Sequence, residues 1–419
     1  MSWLRKSIIG AYAVLALGLG VNTVWRSGPY VIGGKPWGSK AHRCDLSVYW
    51  AARKAVLDGT DIYEVRNPGG SMYTTPPLLA IVMSPLALLP MFWASLTWYV
   101  LSVVMLVTAV RMCVATVDWA ASAEGRTPFV LYVLPPLLVL WMFTSALTHG
   151  QTSILMLWLV IVALYCDGKG REILAGSCVA GAALVKVFPV VLLVYFVWRR
   201  KWRVVVSALV ALALGLLVVP AAVFGWSGNL ACLQKWVARV AAPSLEDEAG
   251  RRGQPFYGML LASYLINNQS PQAVLWRWTR ESGTRWVARA GVAVMILTIF
   301  AVGRKTLPAD EPLILGATLI CTVLAPPLAW AHYFMVLLFP VTALVRVIRE
   351  LGHRPLRIFS CSCLVIFAVL SVLGAPRVWR GYGTLTAGSI VLWLGLVVTA
   401  AWRARLAGPN FLVPAAQSR

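Results

Sequence analysis

Charged side chains are scarce in this chain, and acidic ones are scarcer still. Of its 419 residues, 12% are charged, and 15 aspartates and glutamates stand against 37 lysines and arginines. Soluble domains carry roughly 25% charged residues, so a soluble enzyme is excluded, as are a disordered chain and a fibrous repeat. Apolar runs occupy residues 7–24, 129–147 and 204–224, and each is long enough to cross a bilayer as a helix. The chain is therefore predicted to be an all-α polytopic membrane protein.

Cysteine pairs with the spacing of a metal site are also missing. The eight cysteines are scattered, mostly inside apolar runs, without a C-x-x-C pair or a Cys/His spacing typical of zinc. They are predicted to be small core residues. No G-x-S-x-G, H-E-x-x-H or Walker motif occurs, and no carboxylates cluster. We therefore expect a site without a metal or another cofactor.

The net charge of +22 has a topological origin. Lysines and arginines lie almost entirely in the breaks between apolar runs, and the sequence has no separate basic domain. Short basic loops of membrane proteins mark the cytoplasmic side and contact lipid head groups. Membrane lipids are therefore expected partners, and nucleic acid is not.

The basic loops predict a topology. Met1–Lys6 is basic and precedes an apolar run without a convincing cleavage site, so we expect an uncleaved first helix with a cytoplasmic N-terminus. Residues 172–197 are apolar but too few for two full spans. They are predicted to turn at Lys186–Pro189 and to return by a short limb. About ten to twelve membrane segments result. The segments assigned to the cytoplasm are 198–203, 303–305, 346–357 and the tail with Arg403 and Arg405.

Two long segments fall on the outer side in this topology. They cover residues 26–77 and 225–286, are rich in Trp, Tyr, Gly and Pro, and are longer than helix–helix connections need. We expect them to form a cap on a single integral membrane domain, residues 1–419. The predicted location is the cell membrane, with the site on the periplasmic, extracytoplasmic face.

Polar residues at the ends and interruptions of the apolar runs form the candidate site. In the predicted topology all of them lie at the outer membrane face, although they are far apart in sequence. Polar groups at such positions of membrane proteins are often functional. They are Asp45, His149, Gln151, Lys186, Tyr257, Asn268, Gln269 and His332.

Most of these residues could also serve a purely structural purpose. Asp45 is one of four acids in the first loop and could be a solvated carboxylate, and His149 and His332 could cap helix ends. Asn268 could satisfy the backbone of its own loop. Lys186 is harder to account for in this way, because an ammonium group within an apolar stretch must reach water or find an anion.

Together the residue types favour chemistry on sugars. Aromatic rings stack on pyranose faces, amides and imidazoles bind hydroxyls, and cations match a phosphate. An isolated carboxylate argues against a glycoside hydrolase, which needs a pair. A single base suits direct transfer, in which it deprotonates an acceptor hydroxyl as a phosphate leaves.

The same segments resemble the GT-C glycosyltransferases of glycosyltransferase family 87. The resemblance covers roughly residues 40–340 and rests on the order and spacing of several short motifs. The motifs are Asp45-x-x-x-Tyr49-x-Ala51–Ala52, Leu57–Asp58–Gly59 with Asp61–Ile62–Tyr63, Tyr73 with Pro76–Pro77, Ser84–Pro85–Leu86 with Leu89–Pro90, His149–Gly150–Gln151, Leu184 with Lys186 and Pro189, Asn268–Gln269–Ser270, and Ala325–Pro326 with Trp330, His332 and Tyr333.

This resemblance implies a GT-C fold and a defined reaction. Such enzymes transfer a sugar, with inversion, from a polyprenyl-phosphate carrier in the outer leaflet to a hydroxyl of a glycolipid or glycan. The best-known members are actinobacterial mannosyltransferases that build phosphatidylinositol mannosides. Asp45 would then be the general base, Lys186 would meet the donor phosphate and His332 would help to position a substrate. No acid stands beside Asp45, so a metal is not expected. The further residues expected to bind donor phosphate or sugar are His149, Gln151, Tyr63, Tyr257, Asn268 and Gln269.

Two other classes of function stay open at this point. A lipid or sugar-lipid flippase predicts polar residues at mid-span and two related halves. The sequence has neither feature, since its polar groups gather at one end of the spans. A non-catalytic scaffold predicts that Asp45, Lys186 and His332 can be replaced without consequence. The leading hypothesis is a polyprenyl-phosphate-mannose-dependent mannosyltransferase.

Overall fold

The computed structural model describes residues 2–27, 45–67, 70–119, 127–254, 256–281 and 283–407. Within these ranges the regular structure is helical, and the only extended pairings are isolated bridges. The chain divides into two compact units, each assembled from three segments. The first unit comprises Met1–Met112, Leu140–Val190 and Lys201–Ala262, and the second comprises Cys113–Val139, Val191–Arg200 and Ser263–Arg419.

The helices are numbered in chain order. Those that begin in the first unit are α1 (Ser2–Ser27), α2 (Asp45–Leu57), α3 (Pro77–Val82), α4 (Met91–Val117), α6 (Leu140–Thr148), α7 (Ser153–Gly168), α8 (Glu172–Val185), α10 (Trp202–Ala213), α11 (Val219–Trp236), α12 (Ala242–Leu245) and α13 (Glu248–Arg251). Those of the second unit are α5 (Val130–Leu138), α9 (Leu192–Trp198), α14 (Pro271–Thr279), α15 (Thr284–Gly303), α16 (Glu311–Leu324), α17 (Leu338–Glu350), α18 (Arg354–Leu373), α19 (Arg377–Arg380) and α20 (Thr384–Leu406). Short 3₁₀ turns occupy Ser84–Leu88, Phe188–Val191, Pro308–Asp310 and Ala331–Leu337, and π-helical turns occupy Leu214–Val218, Val237–Ala241 and Tyr257–Leu261.

Several of these helices are long and apolar enough to cross a membrane. The described residues contain six such helices, or seven if α5 and α6 together form one bent span. Four shorter apolar helices accompany them, so the predicted ten to twelve segments are reached only when these are included. The full-length candidates are Met91–Val117, Trp202–Leu245, Thr284–Gly303, Ala331–Glu350, Arg354–Leu373 and Thr384–Leu406.

Large apolar side chains are exposed along these helices. Val104 of α4 is 54% exposed and Val365 of α18 is 60% exposed. Water would penalise such surfaces by roughly 25 cal/mol per Å², whereas lipid tails are as apolar as the side chains themselves. The predicted all-α, multi-pass membrane fold is confirmed.

Small residues allow close helix packing in the first unit. Helix α8 has the sequence EILAGSCVAGAALV and packs against α7 and α10. A side chain at Gly176 would collide with the Val204 carbonyl and the Ser207 hydroxyl of α10. Small residues at such crossings let two backbones approach closely, which is how helices associate within lipid.

The interior of the second unit is organised around α16. Every residue of this helix from Leu313 to Leu324 is buried, and its neighbours include α17 and α20. Its N-terminal end is held by ion pairs. Asp310 is fully buried and lies 2.8 Å from Arg403 Nε, and Glu311 pairs with Arg199. Each acid at this end of the helix thereby has a cationic partner, as buried charges require.

A break in the apolar segment 172–197 occurs where the sequence predicts one. Helix α8 ends at Val185, and Lys186 has extended backbone angles (φ −145°, ψ 123°). The 3₁₀ turn Phe188–Val191 follows before α9 begins. The return of the second limb towards the cytoplasm stays a prediction.

The two segments predicted as outer loops contain substantial helix. Residues 28–44 of the first segment lie outside the described residues, and α2 follows them. In the second segment, α11 continues through a bend at Gly225 (φ 73°), and helical structure runs on to Leu245. Its Arg239 lies 2.6 Å from Glu64, and its Trp236 donates to the Thr74 carbonyl. These contacts attach the helix to the segment after α2. The predicted outer location of both segments stays a prediction.

Candidate functional site

Asp45 is the first residue of helix α2. A carboxylate in the first turn interacts favourably with the positive end of the helix dipole. The Asp45 backbone N–H donates to the His149 carbonyl at 3.0 Å. The predicted base is therefore tied directly to the His149–Gly150–Gln151 segment, which is distant in sequence.

A tight turn holds His149, Gly150 and Gln151 in place. Gly150 adopts a left-handed conformation (φ 60°), which glycine adopts without strain. The Gly150 carbonyl accepts from Trp98 Nε1 at 3.1 Å, and the Gln151 N–H donates to the Ala146 carbonyl at 2.9 Å. The turn therefore presents consecutive polar residues at the start of α7.

The imidazole of His149 has a defined orientation. Its Nδ1 lies 2.7 Å from the Ser145 carbonyl oxygen. Because a carbonyl can only accept, Nδ1 carries the proton, and in the neutral ring Nε2 is the acceptor. His149 itself is exposed. This tautomer suits a residue that accepts a hydrogen bond from a substrate hydroxyl.

Gln151 is a buried amide with an unsatisfied acceptor. The residue is 5% exposed, and its Oε1 atom has no hydrogen-bond partner among the described residues. Leaving a buried acceptor unpaired costs about 1–3 kcal/mol. A substrate hydroxyl would satisfy this oxygen, which supports the prediction that Gln151 contacts a sugar.

Lys186 lies electrostatically close to Asp45. It caps the C-terminal end of α8, where its backbone N–H donates to the Ala182 carbonyl at 2.9 Å. Burial raises the pKa of the Asp45 carboxyl above its ordinary value, and the positive charges of Lys186 and His149 act in the opposite direction. A carboxylate with a raised pKa is a stronger base than one in water. The structure thus brings the Asp45 carboxylate, the Lys186 ammonium and the His149 imidazole into electrostatic contact in the first unit.

Tyr63 and Tyr257, the two tyrosines predicted to bind substrate, make hydrogen bonds within the first unit. Tyr63 is fully buried, donates its hydroxyl to the Thr75 carbonyl at 3.0 Å and packs on Tyr73. Tyr257 donates its hydroxyl to Glu248. Both hydroxyls therefore have protein partners, and these contacts give Tyr63 a packing role in the segment that follows α2.

The side-chain amides of Asn268 and Gln269 make hydrogen bonds to backbone groups of the second unit. Asn268 is fully buried, and its amide donates to Pro327 and accepts from the backbone N–H groups of Ser270 and Ala329. The Gln269 amide donates to the Ile266 and Arg380 carbonyls. These contacts explain Asn268 as a clamp on the chain that leads to His332, and Gln269 as a link to the Arg380 backbone. Direct sugar contact by either residue stays a prediction.

His332 lies between two aromatic side chains. It belongs to the 3₁₀ turn Ala331–Leu337, and its ring stacks on Trp330 at 6.4 Å between centroids. Tyr333 meets the imidazole edge-on at 4.9 Å. An isolated bridge pairs Asn268 with Trp330, so the amide clamp fixes the residue on which His332 stacks. His332 itself is half-exposed and able to meet a ligand.

The structure also reveals polar residues of α2 that the sequence analysis did not select. Ser47 accepts from Asn67, and Tyr49 accepts from Thr152, so two buried hydrogen bonds fix the helix in the first unit. Arg53 is only 2% exposed. A signal for it existed in the sequence, because an arginine in an otherwise mostly apolar helical stretch rarely lacks a function. Among the described residues, no group of three His, Cys, Asp or Glu side chains could hold a metal ion.

The fold and these polar groups define a multi-pass helical membrane protein in which Asp45 interacts electrostatically with Lys186 and His149. The model of glycosyltransferase family 87 matches residues 73–340, and the chain belongs to this family. The resemblance seen in the sequence motifs is confirmed, and the protein is a glycosyltransferase.

Curated relatives cover most of the chain. A polyprenol-phosphate-mannose-dependent alpha-(1-2)-phosphatidylinositol mannoside mannosyltransferase of Mycobacterium tuberculosis is 28% identical over 356 residues, 79% of this chain and 76% of the relative. A protein of Mycolicibacterium smegmatis with the same name is 25% identical over 429 residues, 91% of this chain and 90% of the relative. Among solved structures, ArnT from Cupriavidus metallidurans in the apo state aligns with a TM-score of 0.38 and 13% identity, over 94% of this chain and 77% of that chain.

Proposed function

We propose that this protein transfers mannose from a polyprenyl-phosphate carrier to a hydroxyl of a glycolipid or glycan at the outer leaflet, with inversion and without a metal. The names of the two mycobacterial relatives supply the donor and a phosphatidylinositol mannoside as the acceptor class. The proposal for this chain's own residues comes from the surroundings of Asp45.

The observation that carries the proposal is the placement of the Asp45 carboxylate beside Lys186 and His149. Burial raises the pKa of Asp45, whereas Lys186 and His149 favour its ionised form. A carboxylate whose pKa is raised in this way accepts a proton more readily than one in water. The adjacent cations match a phosphate leaving group, which a flippase has no need to place beside a base.

The transfer uses these groups in one displacement. Asp45 accepts the proton of the acceptor hydroxyl as the hydroxyl oxygen bonds to the anomeric carbon from the face opposite the phosphate. The bond from the anomeric carbon to the phosphate oxygen breaks, and the electron pair leaves with the carrier phosphate. Lys186 stabilises the charge that grows on this phosphate. The product anomer is consequently opposite to that of the donor.

The remaining residues orient the substrates. The unpaired Gln151 oxygen accepts from a sugar hydroxyl, and His149 Nε2 accepts from a substrate hydroxyl as well. In the second unit, His332 and its aromatic neighbours offer a stacking surface and an imidazole. We assign to His332 the positioning of donor or acceptor.

Asp45→Asn tests the base in an assay with radiolabelled polyprenyl-phosphate-mannose and a lipid extract. The substitution keeps the shape of the side chain and removes the proton acceptor, so transfer should fall about 100- to 10,000-fold. Asp58→Asn is the matched control, because Asp58 directly follows the same helix and is exposed. Its activity should equal that of the wild type.

Three results separate the possible outcomes. Transfer by wild type and loss in Asp45→Asn supports both the reaction and the base. Equal transfer by the two keeps the reaction and removes Asp45 from it. No transfer by the wild type, together with movement of a labelled lipid across vesicles, would favour a flippase.

A further inference from the structure

Helix α2 carries a buried cation, Arg53, that has no counter-ion among the residues the structure describes. Arg53 is 2% exposed, and its Nε is buried without a hydrogen-bond partner. Among the described residues no carboxylate forms an ion pair with its guanidinium. A buried charge without a partner is strongly unfavourable, and buried charges in proteins are normally paired. Such a residue indicates an anionic partner that the described part of the chain does not supply.

The nearby acids are committed elsewhere. Asp61 pairs with Lys235, and Glu64 lies 2.6 Å from Arg239. Asp58 is exposed at the end of α2. The counter-ion of Arg53 is therefore not an acid of the segment that follows its own helix.

A second donor without a partner lies one turn earlier on the same helix. The indole Nε1 of Trp50 is buried, and it has no acceptor among the described residues. Residues three apart are neighbours on a helix surface, so the two donors share one face. Long side chains on helices lean towards the N-terminus, which is the end of α2 that carries Asp45.

We propose that Arg53 and Trp50 bind a phosphate group of a lipid. A guanidinium presents several N–H donors in a planar fork that matches phosphate oxygens, and an indole N–H adds one more. The choice of a phosphate among possible anions rests on the proposed function, whose donor carries one. Positions 50 and 53 lie about 8 and 12 Å along the helix axis from Asp45. The proposed site therefore lies on the same helix as Asp45, whereas Lys186 lies at the end of α8.

Two lipids present this chemistry, and both are probes for the site. Farnesyl phosphate represents the carrier, and phosphatidylglycerol represents a membrane head group. Farnesol, which lacks the phosphate, serves as the uncharged control. Tighter binding of farnesyl phosphate identifies the carrier as the ligand, and preferential binding of phosphatidylglycerol identifies a head group.

Binding to purified full-length protein in detergent tests the site without turnover. Arg53→Gln should weaken farnesyl phosphate or phosphatidylglycerol binding about 10- to 100-fold, because it removes charged hydrogen bonds. Trp50→Phe keeps the ring and should weaken binding about fivefold. The matched control is Lys54→Gln, which removes an equal charge from an exposed position of the same helix. Unchanged phosphate binding by Arg53→Gln would overturn the proposal.

Thermal unfolding separates a ligand site from a structural arginine. If Arg53 binds an anion, Arg53→Gln should leave the ligand-free Tm equal or higher, and it should reduce the rise in Tm that the phosphate lipid gives the wild type. A lower ligand-free Tm with an unchanged ligand-induced rise would show a structural role. If the wild type binds phosphate through Arg53 but has no transferase activity, the proposed function alone is refuted. If Arg53→Gln keeps full transferase activity and unchanged phosphate binding, this site alone is refuted.

Discussion

Replacing Asn268 by alanine should loosen the segment that carries His332. The Asn268 Oδ1 accepts from the backbone N–H groups of Ser270 and Ala329, both at 3.1 Å, and its Nδ2 donates to the Pro327 carbonyl at 3.2 Å. The side chain is fully buried, so water does not replace these bonds. The perturbation therefore removes three buried hydrogen bonds at once.

The cost follows from which groups are left unpaired. Pro327 keeps a second donor, because the Ser270 hydroxyl also donates to it at 2.7 Å. The N–H groups of Ser270 and Ala329 lose the acceptor that Asn268 supplies. A buried group without a partner costs about 1–3 kcal/mol, so Asn268→Ala should destabilise the protein by about 2–6 kcal/mol.

Thermal unfolding in detergent and transferase kinetics together test this reasoning. Asn268→Ala should lower the Tm and reduce kcat, because the Trp330–His332 stack loses its support, whereas His332→Ala should reduce activity with little change in Tm. Asn267→Ala is the matched control, since its half-buried amide accepts from Arg380 and not from the segment before Trp330. An Asn268→Ala protein with wild-type Tm and kcat would refute the clamp.

Two further predictions concern the base and the helix packing. Lys186→Gln removes a positive charge that lowers the pKa of Asp45. The pKa of Asp45 should therefore rise further, and the acid limb of the kcat/KM profile should move to higher pH. An acid limb at the same pH as in the wild type would contradict the electrostatic link between the two residues. Gly176→Ala should destabilise the first unit by about 1–3 kcal/mol, because the added methyl group meets α10. Gly291→Ala, which meets nothing within 4 Å, should be neutral or slightly stabilising in the same thermal assay.

The membrane fold could be predicted from the sequence because apolar runs long enough to cross a bilayer are typical of membrane-spanning helices. The second long segment could not be predicted in the same way. Its helix continues from Gly225 to Leu245, but Lys235 and Arg239 interrupt the apolar pattern and suggest a loop. Those two cations find acids on the segment after α2. That pairing between distant segments is tertiary information, and it turns a polar stretch into an ordered helix.

The candidate site shows the same limit at the level of single side chains. A residue type states what chemistry is possible, but burial and existing partners decide whether it is available to a substrate. Asn268 and Gln151 are both buried amides near the ends of apolar runs, and sequence alone gives them the same role. The Asn268 amide is used up by backbone groups, whereas the Gln151 oxygen has no partner among the described residues. Arg53 illustrates the reverse case, since sequence reasoning did not select it although it is buried and its Nε has no partner among the described residues.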